Sequence, residues 1–134
     1  MTLRKWLIGL TCCAWILPAA IFGADNDGFP FDGELILDVD PMPGSKRIPN
    51  MDVAGNGAMA LEMWCNRVEG QLVVAGYTIT VLTGAITDRP CAPERAEGDV
   101  ALLTALTKVT NWRREGSMVL LVGPQTLRFR IPTN

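Results

Sequence analysis

The chain has 134 residues, the length of one domain, with 12 basic and 14 acidic side chains and no histidine. Without histidine it lacks the usual proton shuttle near neutral pH and the commonest protein metal ligand, so acid–base and zinc chemistry lose their ordinary parts. The charge balance has no concentrated basic face of the kind nucleic acid requires.

The first 24 residues read as an export leader. Arg4 and Lys5 form a positive start, Trp6 to Gly23 carry no charge, and Gly23-Ala24 offers a small-residue exit before Asp25-Asn26-Asp27. Eighteen uncharged residues also sit at the short end of a membrane span, but Pro18 favours a cleaved leader over a retained anchor. Lipidation at Cys12 or Cys13 fits poorly, because Cys12 occupies the place of a small residue and a lipidated chain keeps Trp15, Phe22 and their apolar neighbours. The expected location is therefore periplasmic or extracellular, with membrane contact only through an uncleaved leader. Without Arg4 and Lys5 the remainder carries ten bases against fourteen acids, a net charge of −4.

Beyond the leader, residues 25–56 read as an approach segment and opening strand, and 57–134 as the body of the same domain. Six acids and no base lie between Asp25 and Asp40. Leu35, Leu37 and Val39 share one face of a strand, and Pro41 to Ser45 breaks it. Asp38 and Asp40 point one way at a spacing that suits calcium, but a solvated edge before a proline turn explains them better, so no metal is assigned. A short strand follows at Met51–Val53, then a turn at Gly55-Asn56-Gly57. Met59, Leu61 and Met63 alternate with Ala60, Glu62 and Trp64 as a half-buried strand.

Gln71–Val74 is the next strand, with a turn at Ala75-Gly76, and Tyr77, Ile79 and Val81 form the core face of another. After Pro90–Pro93 the period changes from two to between three and four. Val100, Leu103, Leu106 and Val109 mark an amphipathic helix over 93–109, opened by Pro93 and by Glu94, Glu97 and Asp99 at its positive dipole end. Gly98 weakens its first turns. Trp112–Glu115 and Met118–Val122 flank Gly116-Ser117, a type II′ hairpin turn. Leu127, Phe129 and Ile131 then face inward, with Arg128 and Arg130 outward. The expected fold is β-rich α+β: a curled antiparallel sheet or partly open β-barrel with one helix packed across it.

Cys65 and Cys91 are the cysteines outside the leader. An even pair in an oxidising compartment reads as a disulfide; a reactive thiol or a zinc site lacks the histidine or second cysteine pair it needs. No phosphate loop and no nucleophile elbow are present, and neither an enzyme activity nor a cofactor is expected. Arg113, Arg114, Arg128 and Arg130 cluster near the C-terminus as a candidate binding patch, of which only one of the consecutive pair can share the outer face of the last strand. Trp64 and Trp112 are alternatively binding-surface or core residues, core being preferred.

At Trp64-Cys65-Asn66-Arg67-Val68-Glu69-Gly70 the chain resembles the META domain family of HslJ-like heat-shock and envelope proteins. That family carries a Cys-Asn pair with a following Gly at the end of a strand, matched here by Cys65, Asn66 and Gly70. Its second segment, Ala-x-Thr-x-x-x-Cys, is matched by Ala85, Thr87 and Cys91. The resemblance covers about residues 57–131, with Trp64 and Arg89-Pro90 departing from the usual pattern. It implies a non-enzymatic domain of the cell envelope, linked in some members to stress tolerance. The expected partner is an envelope protein or an anionic envelope component, and the chain is expected to be a monomer. The alternative is a small-molecule carrier or inhibitor that uses a pocket at the barrel mouth.

Overall fold

The computed structural model describes residues 28–133; the leader, Cys12, Cys13 and the expected cleavage point lie outside the described residues. Eight strands run in chain order: β1 (Gly33–Leu37), β2 (Asn50–Val53), β3 (Ala58–Glu62), β4 (Arg67–Ala75), β5 (Thr78–Ile86), β6 (Asn111–Glu115), β7 (Met118–Val122) and β8 (Leu127–Arg130). Each pairs antiparallel with the next, and β8 closes on β1 through Ile36↔Arg130 and Leu37↔Phe129. The sheet thus closes into an eight-strand barrel, a more specific form of the expected β-rich fold with one helix across it, with β5 and β6 joined only at Thr78↔Asn111. Closure pairs strands that are about ninety residues apart in sequence, and local alternation carries no signal for it.

Alternation fills the barrel. Leu35, Met51, Leu61 and Val68 stand in register across β1 to β4, each fully buried. Leu37, Phe129 and Val119 form a second row, and Leu127, Leu121 and Trp112 a third. Side chains therefore occupy the interior, as in other small barrels. Phe29 packs edge-on to Trp112, with ring centroids 5.3 Å apart, towards the β4–β5 turn. The Trp112 indole N–H donates to Gly76 O at 2.8 Å.

Several expected details change. β4 begins at Arg67, four residues before the apolar run that marks it, because Arg67–Glu69 pair with β3 through backbone groups and exposed charges. Tyr77 belongs to the β4–β5 turn and is 72% exposed, not to the core face of β5. Val39 lies past the end of β1 and is exposed, since the strand stops at Leu37. The Gly116 φ of 59° fits the II′ turn between β6 and β7.

The helix α1 covers Pro93–Thr107, two residues shorter than its periodicity suggests. Lys108 caps the end with its N–H donating to Ala105 O, a tightened last turn, and Val109 beyond it remains buried. Pro93 opens the helix, and no side chain caps it. Leu102, Ala105 and Leu106 close one end of the barrel, bounded by the β1–β2 link, the β3–β4 turn and the β7–β8 turn. Gly98 allows this docking. A Cβ there would collide with Met42 Cε and lie 3.0 Å from Trp64 Cε3. Among the described residues no helix is long and apolar enough to cross a membrane.

Candidate functional site

Of the family-motif residues, Cys65, Asn66, Thr87 and Cys91 converge at the turn between β3 and β4, whereas Gly70 and Ala85 lie away from it in β4 and β5. Cys65 is disulfide-bonded to Cys91, with Cα atoms 6.0 Å apart, inside the range a disulfide spans. The Asn66 side chain works in both directions. Its Oδ1 accepts from Arg89 N at 2.7 Å and from Thr87 Oγ1 at 3.0 Å, and its Nδ2 approaches the Cys65 sulfur. Thr87 Oγ1 in turn accepts from Arg67 N at 2.9 Å. Gly70 sits where the backbones crowd: a Cβ there would strike Leu82 O, beside the register shift between β4 and β5. Ala85 is exposed near the end of β5.

A residue outside the motif holds this turn to the helix. Asp99 is 4% exposed, and its two carboxylate oxygens accept from Cys65 N at 3.1 Å and Asn66 N at 2.6 Å. Sequence reasoning assigned Asp99 to the helix dipole. Its position on the face that also carries Leu102 and Leu106 was the available sign that it turns inward. Glu62 bridges Arg67 at 3.0 Å and Arg89 at 3.8 Å over the same turn, and this hydrogen bond holds the Arg67 guanidinium above its ordinary value. These contacts form a structural latch, with no free acid–base or nucleophilic group among them.

The arginines are distributed rather than massed. Register places Arg113, Leu120 and Arg128 side by side on the outer face, with Arg130 one row away beside Met118. Arg114 lies in register with Val119 and Phe129, on the inward row at the barrel rim, and its Nε donates to Gly116 O at 3.0 Å. Arg113 pairs with Glu115 at 3.1 Å and Arg128 with Asp38 at 3.6 Å, so two of the outer cations are locally offset. Leu120 points outward yet is only 4% exposed; Arg113 and Arg128 flank it in register, and their aliphatic stems are placed to cover it.

Arg128 also stands at a groove between α1 and the start of β8. A cavity of about 350 Å³ is lined by Leu37, Val39, Met42, Trp64, Leu102 and Leu127, with Asp38, Gln125 and Arg128 at its polar edge. Ala101 and Gln125 are shared with a second recess of about 390 Å³ that runs on to Lys108 and Pro124. Trp64 is half-buried here, and its indole N–H has no hydrogen-bond partner among the described residues. Trp112, by contrast, is core.

Two solved structures share the fold. One, described as an NMR structure of a protein from Burkholderia xenovorans, has 18% identity and a TM-score of 0.63, over 78% of this chain and 84% of that one. Another NMR structure has 21% identity and a TM-score of 0.60, over 75% of this chain and 89% of that one. No curated protein matches the chain. The META domain model matches residues 31–131, reaching back past the two cysteine motifs to take in β1 and β2. With that match spanning every strand and the helix, the chain belongs to the META domain family.

Proposed function

We propose that this chain is a non-enzymatic, exported envelope domain that binds an envelope protein or an anionic envelope component along the groove beside α1. The leader and the Cys65–Cys91 bond support an oxidising compartment outside the cytoplasm. The observation that carries the binding reading is the apolar groove rimmed by Arg128. Because side chains fill the barrel interior, recognition falls to the outside of the molecule. An apolar floor supplies contact area, Lys108 in the adjoining recess favours negative charge, and Arg128, paired with Asp38 at 3.6 Å, becomes available to an anionic group that displaces that carboxylate. A role in stress tolerance follows from the family resemblance.

A small-molecule carrier is the second reading. It is favoured by the groove's volume, which falls at the low end of the range for small-ligand sites.

A photo-crosslinking side chain at Thr126, in the groove, and another at Asp52, on an outward strand position away from it, separate these readings in envelope preparations. Protein adducts from Thr126 alone, reduced by salt and by Arg128→Gln, support the binding module. A small-molecule mass on Thr126 supports the carrier. Equal labelling from both positions, or none, removes the groove from consideration.

A further inference from the structure

The groove beside α1 is one segment of a longer trough. Ala101 and Gln125 join it to the recess that ends at Lys108. At the other end Met42 stops it, with its methyl and the Trp64 ring both lying against Gly98. The strap that carries Met42 is held to the helix by Arg95, whose Nη2 donates to Gly44 O at 3.3 Å. From Gly98 to Lys108 the chain advances ten residues, about 15 Å of helix. Along that length α1 presents Gly98, Ala101 and Ala105, which are too small to fill the space between helix and barrel.

The floor and the far end differ in chemistry. The floor is built from Leu37, Leu102, Leu127, Met42 and the Trp64 ring, with Val39 41% exposed beside them past the end of β1. These side chains offer a ligand no hydrogen-bonding group it can reach, since the Trp64 indole N–H is itself buried. A peptide strand laid here sets backbone N–H and C=O groups against hydrocarbon, which is costly, whereas an alkyl chain sets none. Charge gathers beyond the floor. Arg128 at the side is engaged by Asp38, but Lys108 is exposed and enters no ion pair among the described residues.

We infer that the trough binds a free fatty acid of medium chain length, its alkyl chain along Gly98 and Ala101, its methyl end at Met42 and its carboxylate on Lys108. The inference rests on the groove as the binding site and names its occupant. A single lane takes one chain; a two-chain membrane lipid leaves its second chain in water. Lys108 accepts the carboxylate without breaking an internal ion pair, whereas Arg128 does so only by displacing Asp38. An extended backbone advances about 3.6 Å per residue, or about 1.2 Å per bond, so an extended alkyl chain covers the trough in about twelve bonds. The best-fitting acid therefore has about twelve carbons.

Quenching of Trp64 by dodecanoate brominated near its methyl end tests the inference in the purified, disulfide-intact protein, below the micelle concentration. Quenching saturates at one acid per chain and is lost in Trp64→Phe. Across unbranched acids of eight to sixteen carbons, calorimetric affinity rises by up to about tenfold per two methylenes and levels off near twelve. Lys108→Gln weakens dodecanoate by about three- to fivefold and leaves the uncharged alcohol of the same length unaffected. Ala101→Phe, at an exposed helix position in the waist of the trough, abolishes binding of both with an unchanged far-UV spectrum. No saturable quenching, an affinity that climbs through sixteen carbons without a break, binding indifferent to Ala101→Phe, or dodecylammonium held as tightly as dodecanoate overturns the assignment. Binding to vesicles of anionic two-chain phospholipid in place of dodecanoate overturns it in favour of a membrane surface. Salt-sensitive protein adducts at Thr126 without dodecanoate binding strike the fatty acid and leave the groove. Equal labelling from Thr126 and Asp52 strikes the groove itself.

Discussion

Asp99→Ala tests whether the helix is held by its carboxylate. The substitution removes the acceptor for Cys65 N and for Asn66 N at once, and Cys65 is only 2% exposed, so water reaches its N–H poorly. Hydrogen bonds to a charged acceptor contribute roughly 1.5–3 kcal/mol each, and two that share one carboxylate are not fully additive, so the loss is about 3–5 kcal/mol. Against a total stability of about 5–15 kcal/mol this is a large fraction, and it lowers the Tm of a domain this size by roughly 15–30 °C. Thermal and urea unfolding of the disulfide-intact protein measure it. Asp99→Asn keeps one acceptor oxygen and falls between alanine and the wild type. Amide exchange of Cys65 and Asn66 speeds up selectively in both variants. A loss below about 1 kcal/mol for Asp99→Ala refutes the latch, because two buried N–H groups cannot be left unpaired so cheaply.

The other perturbations address separate layers of the fold. Replacing Cys65 and Cys91 together by serine opens a loop with a sequence separation of 26 and costs roughly 3–4 kcal/mol in chemical denaturation, on the chain-entropy account. Phe129→Ala empties a fully buried position and costs about 3–5 kcal/mol, while the exposed Arg130→Ala on the same strand stays within about 0.5 kcal/mol; matched melting curves compare them. Gly98→Ala sets alanine's better helix propensity, about 1 kcal/mol, against a methyl 3.0 Å from the Trp64 ring, since the Met42 chain end can swing aside; the net change stays within about 1 kcal/mol in equilibrium unfolding. If the leader is removed, intact mass of the exported protein gives a chain beginning near Asp25.

What was legible in the sequence is what depends on period and pairing within a short stretch. Met59 and Leu61 announced the inner face of β3, and both are buried, as is Met63 just past its end. Leu127 and Phe129 did the same for β8, with Arg128 and Arg130 outward. An even pair, Cys65 and Cys91, behind an export leader and with no histidine as a rival ligand, pointed to the disulfide. Closure of β8 on β1 was not legible, because neither strand differs in composition from an edge strand of an open sheet. Nor was the groove. Leu37, Trp64, Leu102 and Leu127 come from four distant segments, and each reads locally as ordinary core or mixed-face residue.

The two residues that most affect the helix were both visible and both given local meanings. Asp99 was assigned to the dipole and Gly98 to fraying, which are the effects these residue types have in an isolated helix. Tertiary contact gives each a different role. Missing a Cβ, Gly98 lets α1 approach Met42 and Trp64; that approach brings the next residue, Asp99, within reach of two backbone N–H groups at the β3–β4 turn. The disulfide ties the same turn to the segment just before the helix. Close approach, carboxylate and disulfide therefore act on one junction, each shortening the distance the others must span. That junction fixes the wall of the groove formed by Trp64, Gly98, Ala101 and Leu102, so its shape is set by the latch more than by the barrel.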